Sequence, residues 1–296
     1  MKTGTIFRMS GNPVRRWRPS ALIRASVALH LAAAGATLVR PQLWPWTLSA
    51  VVADHLVLTA GGLWPRSRLL GPNWTRLPRL RTAGTRGAVA ITIDDGPDAE
   101  VTPAVLAVLE THKATATFFC VGERVEQHPA LARAIVEQHH EIANHSYRHT
   151  HAFAFLGPRA LADEVARTQQ AIGAVTGQWP RFFRAPAGLR NPFLEPVLAR
   201  AGLQLASWTR RGFDTVSVDP DAVTARLTRD LRAGDILLLH DGHAARTAAG
   251  VPLILEVLPR VLAAVAAAQL TTTTLRAALA QSMGVAGVQA AEAAST

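Results

Sequence analysis

One cysteine in 296 residues, Cys120, excludes an internal disulfide, so the fold has to be held by a packed core. Cys120 lies in the apolar run from Thr117 to Val121 and reads as a buried structural thiol. Acidic residues are also scarce, but only at one end. Residues 1–86 carry 13 Lys and Arg against a single acid, Asp54, while the remainder carries 18 bases and 20 acids. The net charge of +10 is therefore a property of the N-terminal third alone. A basic excess confined to a segment with apolar runs points to anionic lipid head groups, and no nucleic-acid-binding signature is present. There is no internal repeat either. What is abundant is apolar sequence, 49% of the chain, enough for one large α/β domain with a smaller appendage.

Two apolar runs precede that domain. Ala25 to Val39 is interrupted only by Ser26, His30 and Thr37, and Leu43 to Trp64 is broken by Asp54 and His55. The second is long enough to span a bilayer, and Trp44, Trp46 and Trp64 near its ends suit the membrane interface. The expectation is a membrane-associated helical hairpin over residues 1–65. A signal peptide with its apolar region at 25–39, or a soluble helical appendage, would be the alternatives. Basic residues flank both outer ends while the turn holds only Arg40, which places the domain that follows on the cytoplasmic side of the cell inner membrane; a periplasmic or secreted location is the alternative. Asp54 is the residue most at odds with spanning. Residues 66–86 read as a basic linker along the membrane surface, and 282–296 as a disordered tail.

From Ala88 onward, short β-like runs alternate with helical patterns. Strands are expected at 88–93, 116–121, 141–144, 182–184, 204–207, 235–239 and 270–275, with helices between them, several opening on Pro in the first turn. The fold class is α/β, a distorted (β/α) barrel of about seven parallel strands over residues 87–281. Active groups in such barrels collect at the C-terminal strand ends. The polar clusters fall there: Asp94 and Asp95, His145 and His149, Arg184, Trp208 and Asp214, and His240.

In Thr92-Ile-Asp-Asp-Gly-Pro97, adjacent carboxylates point to opposite faces and need different partners. In His145-Ser-Tyr-Arg-His149, two imidazoles four apart meet if the backbone turns helically. One carboxylate and two imidazoles make a three-ligand set that leaves coordination positions open, as a hydrolytic metal site requires. The other carboxylate is then free to act as general base, a further histidine as general acid, and Arg184 to hold a carboxylate by pairing with it. Among the remaining histidines, His139 and His140 read as solvated caps at a helix end, and His151 and His243 as structural or supporting groups near the site.

With these motifs in this order over roughly 195 residues, the chain closely resembles the polysaccharide deacetylase family, also known as the NodB-homology or carbohydrate esterase family four domain. The resemblance implies Asp94 as catalytic base, Asp95, His145 and His149 as ligands of a divalent metal, zinc by expectation, and His240 in Leu238-Leu-His240 as general acid. Arg184-Ala-Pro186-Ala187-Gly188 is similar to a family motif whose arginine orients the base and whose fourth residue offers a backbone N–H to the oxyanion. Trp208 and Asp214 resemble the segment that walls the acyl pocket and tethers the arginine. The implied activity is hydrolysis of an N-acyl group, acetyl or formyl, from an amino sugar in a glycan or lipid-linked saccharide. A catalytically silent glycan-binding module or an ester hydrolase on the same barrel would be the alternatives. Two positions depart from the family pattern: Ala187 replaces an aromatic and Thr215 a tryptophan. Less aromatic surface favours a smaller or lipid-linked substrate.

Overall fold

The computed structural model describes residues 14–78 and 87–283. Its centre is an all-parallel sheet of eight strands: β1 Ala88–Asp94, β2 Ala116–Cys120, β3 Glu141–Asn144, β4 Phe182–Phe183, β5 Gln204–Leu205, β6 Arg210–Arg211, β7 Ile236–His240 and β8 Thr271–Thr272. They are ordered β5-β4-β3-β2-β1-β7-β6, with β8 paired to the start of β1. Around them run α3 Val101–Thr111, α4 Gly122–Gln127, α5 Pro129–Glu137, α6 Pro158–Thr176, α7 Leu194–Arg200, α8 Pro220–Thr228 and α9 Leu253–Ala267. As expected, Pro opens α5, α6 and α8, where a missing N–H costs nothing.

Period-two alternation sorts each strand. On β1, Val89, Ile91 and Ile93 pack outward with Val105, Leu109 and Val257 of α3 and α9. The opposite face carries Ala90, Thr92 and Asp94 toward the barrel axis. There Ala90 joins Phe119, Ala143, Phe182, Ile236 and Leu238 in an inner core. The apolar layers end where Asp94, His145, Arg184 and His240 begin.

Three sequence expectations change. The run expected as a seventh strand to Leu275 is only two residues of β8, and Leu275 instead lies in a helical stretch, 275–283, with Leu275 and Ala278 buried in the inner core. The short strand β6 was not anticipated, because two arginines carry no strand signal of their own. Nor do residues 66–78 lie along a surface. Trp74 bridges Ala206 beside β5, the Leu77 N–H donates to the Gly234 carbonyl at 2.8 Å, and the Leu77 side chain is buried in the inner core. β5 and β6 are not paired with each other among the described residues, so this segment fills the seam between them. Residues 79–86 of the expected linker and 284–296 of the expected tail lie outside the described residues.

The N-terminal pair of helices, α1 Ala21–Val39 and α2 Trp44–Leu63, forms a hairpin through a 3₁₀ turn at Pro41–Leu43. Both are long and apolar enough to cross a membrane, and few of their side chains are buried. Ser26 donates to Asp54 at 2.6 Å and Thr37 meets Thr47 at 2.8 Å, so two pairs of polar side chains meet across the hairpin. Asp54 is thus answered by a partner on α1. The end of α2 is bonded to the barrel, the Arg190 N–H donating to the Gly62 carbonyl, and the start of α1 to the segment after α2, Ser20 donating to the Leu69 carbonyl.

Candidate functional site

A cavity of about 600 Å³ opens at the C-terminal ends of the strands, lined at its floor by Asp94, Asp95, His145, His149 and His240. Its size suits a small ligand.

Asp94 ends β1 pointing inward. Asp95 then takes a left-handed backbone, φ 76°, which swings the next carboxylate into the same cavity instead of out to the helices. This bend is why two adjacent residues reach one site. His145 and His149 are brought together by a turn in which Ser146 and His149 also have positive φ, and the Glu164 carboxylate accepts the backbone N–H groups of Tyr147 and Arg148, both at 2.9 Å. Glu164 carries no motif signal; it is one acid in a helical pattern.

Asp95 Oδ1 stands 3.2 Å from His145 Nε2 and 3.1 Å from His149 Nε2, and is buried without a hydrogen-bond partner. His145 Nδ1 faces the Arg184 carbonyl at 2.9 Å; a carbonyl only accepts, so Nδ1 carries the hydrogen and Nε2 of the neutral ring presents a lone pair. Burial, followed by the neighbouring His145, pushes His149 down to about 4. Burial would raise the Asp95 carboxyl, but the imidazoles around it, with His243 donating to Oδ2, outweigh burial and hold it well below the usual carboxylate range. Both groups are therefore proton-free at neutral pH. Three bare acceptors facing one another repel unless a cation lies between them, and one carboxylate with two imidazoles is a donor set for a divalent metal. The residues fit the group that the sequence implied.

Asp94 is held differently. Its Oδ1 accepts from Arg184 Nη1 at 2.6 Å. Arg184 is buried, donates also to Thr92 Oγ1 and to the carbonyls of Ala206 and Ser207, and lies over the Phe119 ring. A guanidinium so fully bonded has one available orientation, which fixes Asp94 beside the metal cluster.

Across the cavity, His240 Nδ1 donates to Asp214 Oδ1 at 2.9 Å, and the His240 backbone N–H donates to Asp214 Oδ2 at 2.7 Å. Burial alone would depress the His240 pKa, but the Asp214 hydrogen bond and charge outweigh it and raise it. This corrects one expectation: Asp214 tethers the histidine, and backbone carbonyls tether the arginine, because the loop after β6 returns to the end of β7 instead of to β4.

Pro186, Ala187 and Gly188 form a 3₁₀ turn in which Ala187 has φ 53°, and Trp208 stands against it. A side chain on Gly188 would come 2.6 Å from the Trp208 ring and 2.7 Å from Pro65, so the hairpin's exit backs the turn directly. Ala187, Trp208 and Thr215 all line the cavity.

Among the other histidines, His243 donates to Asp95 Oδ2 at 2.9 Å, next to Arg124, which donates to the Asp95 carbonyl. His151 lines the cavity. His140 is no solvated cap: it is buried, accepts the Ala116 N–H, and burial lowers it to about 4. Arg124 carries no sequence cue, being an arginine in the first turn of the short helix α4. Asp241 is buried beside the site, donated to by Thr102 Oγ1, and had only its place after His240 to single it out.

A parallel barrel with an Asp-His-His cluster at its strand ends defines a class of metal-site hydrolase folds, and comparison with known proteins identifies the family. The profile described as polysaccharide deacetylase matches residues 81–206, which includes Asp94 to Gly188 but stops before His240. A chitooligosaccharide deacetylase from Bradyrhizobium is 37% identical over 162 residues, 54% of this chain and 73% of that protein. A peptidoglycan-N-acetylglucosamine deacetylase from Listeria monocytogenes is 31% identical over 177 residues, 60% of this chain but only 37% of that longer protein. Among solved structures, a family 4 carbohydrate esterase from Streptomyces lividans, in complex with acetate, superimposes with a TM-score of 0.57 at 34% identity, covering 63% of this chain and 91% of that one. The chain belongs to the polysaccharide deacetylase family.

Proposed function

We propose that this protein is a metal-dependent amidase that removes an N-acyl group from an amino sugar in a membrane-associated saccharide. The observation that carries the reading is the division of labour between adjacent aspartates. Asp95 Oδ1 faces the Nε2 atoms of two imidazoles, while Asp94 is reserved beside it by Arg184. A divalent metal, zinc by its donor set, held by Asp95, His145 and His149, would supply Lewis-acid polarisation of the acyl carbonyl and acidify the attacking water. Asp94 takes the proton of that water, its position set by Arg184. The Ala187 backbone N–H, presented by its left-handed turn, donates to the developing oxyanion. His240, with Nδ1 committed to Asp214, offers Nε2 to protonate the departing amine; its raised pKa favours the protonated form needed for that step. A carboxylic acid and a free amino sugar result.

Substrate choice follows from the wall. Chitooligosaccharide and peptidoglycan are the substrates in the relatives' names, and with Ala187 and Thr215 in the cavity this chain has less aromatic surface for a long sugar chain. A short or lipid-linked saccharide suits it better. The hairpin α1–α2 spans the membrane as an anchor, with both ends on the cytoplasmic side, where the basic flanks would place them. A C-terminal fusion to alkaline phosphatase should be silent and a fluorescent-protein fusion bright; the reverse would put the enzyme outside.

The activity is tested by incubating the purified full chain with zinc and a panel of N-acetyl and N-formyl amino sugars, free and lipid-linked. Release of acetate or formate that a chelator abolishes and zinc restores is expected. Release only from O-acyl substrates would make the protein an esterase, and no release from any would make the barrel a binding module.

A further inference from the structure

Beyond residue 86, seven large apolar side chains are exposed among the described residues: Phe155, Phe193, Phe213, Val216, Val218, Val251 and Met283. The first six all sit in loops that follow strands, at the end of the barrel where the cavity opens. None lies in a loop that leads into a strand. Scattered exposed apolar residues are ordinary, but confinement to one face is not. Phe155 is 86% exposed and Val216 77%, so neither is packed under its own loop.

Hydrogen bonds join the Phe155 and Phe193 loops to each other and to the hairpin. Asn191 Nδ2 donates to the carbonyls of Ala154 and Leu156, locking the Phe193 loop to the Phe155 loop. One residue earlier in that loop, the Arg190 N–H donates to Gly62 at the end of α2, and the Arg190 guanidinium to Ser67. A Cβ on Gly62 would collide with the Arg190 carbonyl, so α2 and this loop touch backbone to backbone. The start of α1 is fastened at the same place through Ser20 and Leu69. A hairpin that crosses a bilayer returns both ends to one side, and here the end of α2 joins the loop after β4 on the cavity-bearing face while the start of α1 joins Leu69 just beyond α2.

We infer that this face rests on the bilayer, with Phe155, Phe193, Phe213 and Val216 dipping into the interface around the cavity mouth, so that substrate enters from the lipid surface. The inference builds on the membrane hairpin proposed above and deepens it. The anchor holds the mouth against the membrane, and the enzyme acts on an amino sugar whose own lipid keeps it there. The basic residues of the N-terminal segment around the hairpin ends complement an anionic surface.

The test uses the full chain in phosphatidylethanolamine–phosphatidylglycerol vesicles, with a nitroxide attached at F155C, V216C or, in a loop leading into β4, Q178C. Cys120 is fully buried and does not compete for the label. Collision with oxygen, which concentrates in lipid, is compared with collision with a water-soluble nickel chelate. Labels at 155 and 216 are expected to favour oxygen several-fold over the chelate, and the label at 178 to show the reverse. Labels at 155 and 216 that behave like the one at 178, or that are shielded from both reagents as under a protein partner, would overturn the inference. F155S/V216S should lower the rate on a bilayer-anchored amino sugar several-fold and leave the rate on a soluble one unchanged. Because label accessibility needs no turnover, failure of the deacetylase reading and failure of this one are separable.

Discussion

The hairpin and the barrel both pair polar groups, but they do so over very different distances along the chain. Ser26 meets Asp54 and Thr37 meets Thr47 across one short turn, between helices that are consecutive in sequence. Asp94 meets Arg184 ninety residues on, His145 meets the Arg184 carbonyl, and Asp214 meets His240 across the loop that carries α8. The hairpin leaves most of its apolar side chains exposed and sets two polar pairs between its helices. The barrel buries its apolar side chains instead, and at one end of it the polar groups are aimed at a substrate. A change in the hairpin should stay local, while a change at the strand ends should spread through partners that the whole fold assembles.

The strongest test of that contrast is at the metal cluster. His145→Ala or His149→Ala should abolish both stoichiometric zinc, measured by plasma mass spectrometry, and turnover. Asp94→Asn should keep the metal and lose about 10² to 10⁴ in rate, because a base moves a proton and holds no ion. Full metal occupancy in both histidine variants would remove the ligand assignment.

Next in size is Asp214→Asn, which should lower kcat by about 10²-fold, the low end for a proton-transfer group. The sign of its pH effect follows from Asp214 raising the His240 pKa. A general acid works below its pKa, so the rate falls as pH rises through it. Removing the Asp214 charge lowers that pKa and moves the alkaline limb of the profile to lower pH. An unmoved limb would mean that His240 is not the acid.

A third effect is on stability alone. Burial pushes Glu141 up to about 7, against hydrogen bonds from Arg276 and Thr117. Since the folded state holds its proton more tightly than the unfolded chain, stability is full below about 4.5 and is lost as pH rises toward 7, a difference on the order of 3 kcal/mol. Glu141→Gln should flatten the pH dependence of the urea midpoint between pH 5 and 8. The smallest effect belongs to the hairpin: Ser26→Ala should weaken helix pairing by about 0.6 kcal/mol in detergent and leave kcat unchanged. A large loss of turnover there would break the contrast between the two regions.

Several features were legible in the residues themselves. Two apolar runs became two helices because composition alone selects a helix whose side chains can face an apolar medium. Alternation in Ala88 to Asp94 and Ile236 to His240 marked which side chains face the axis, since period two is a local property of an extended chain. The motif spacings put Asp94, Asp95, His145 and His149 at strand ends. What remained for the tertiary structure was the choice of partners. Sequence resemblance attached Asp214 to the arginine; the path of the loop after β6 gave it to His240. Residues 66–78 looked like a linker because Pro, Gly and Arg hide any period, yet an unpaired seam between β5 and β6 accepts Trp74 and Leu77. His140 read as a solvated cap and lies buried against Ala116, and Glu164 had no signal until its carboxylate was seen under the His145 turn. Periodicity is written between neighbours, whereas a partner many residues away is chosen by how the sheet curves and where its loops return, which no local pattern contains.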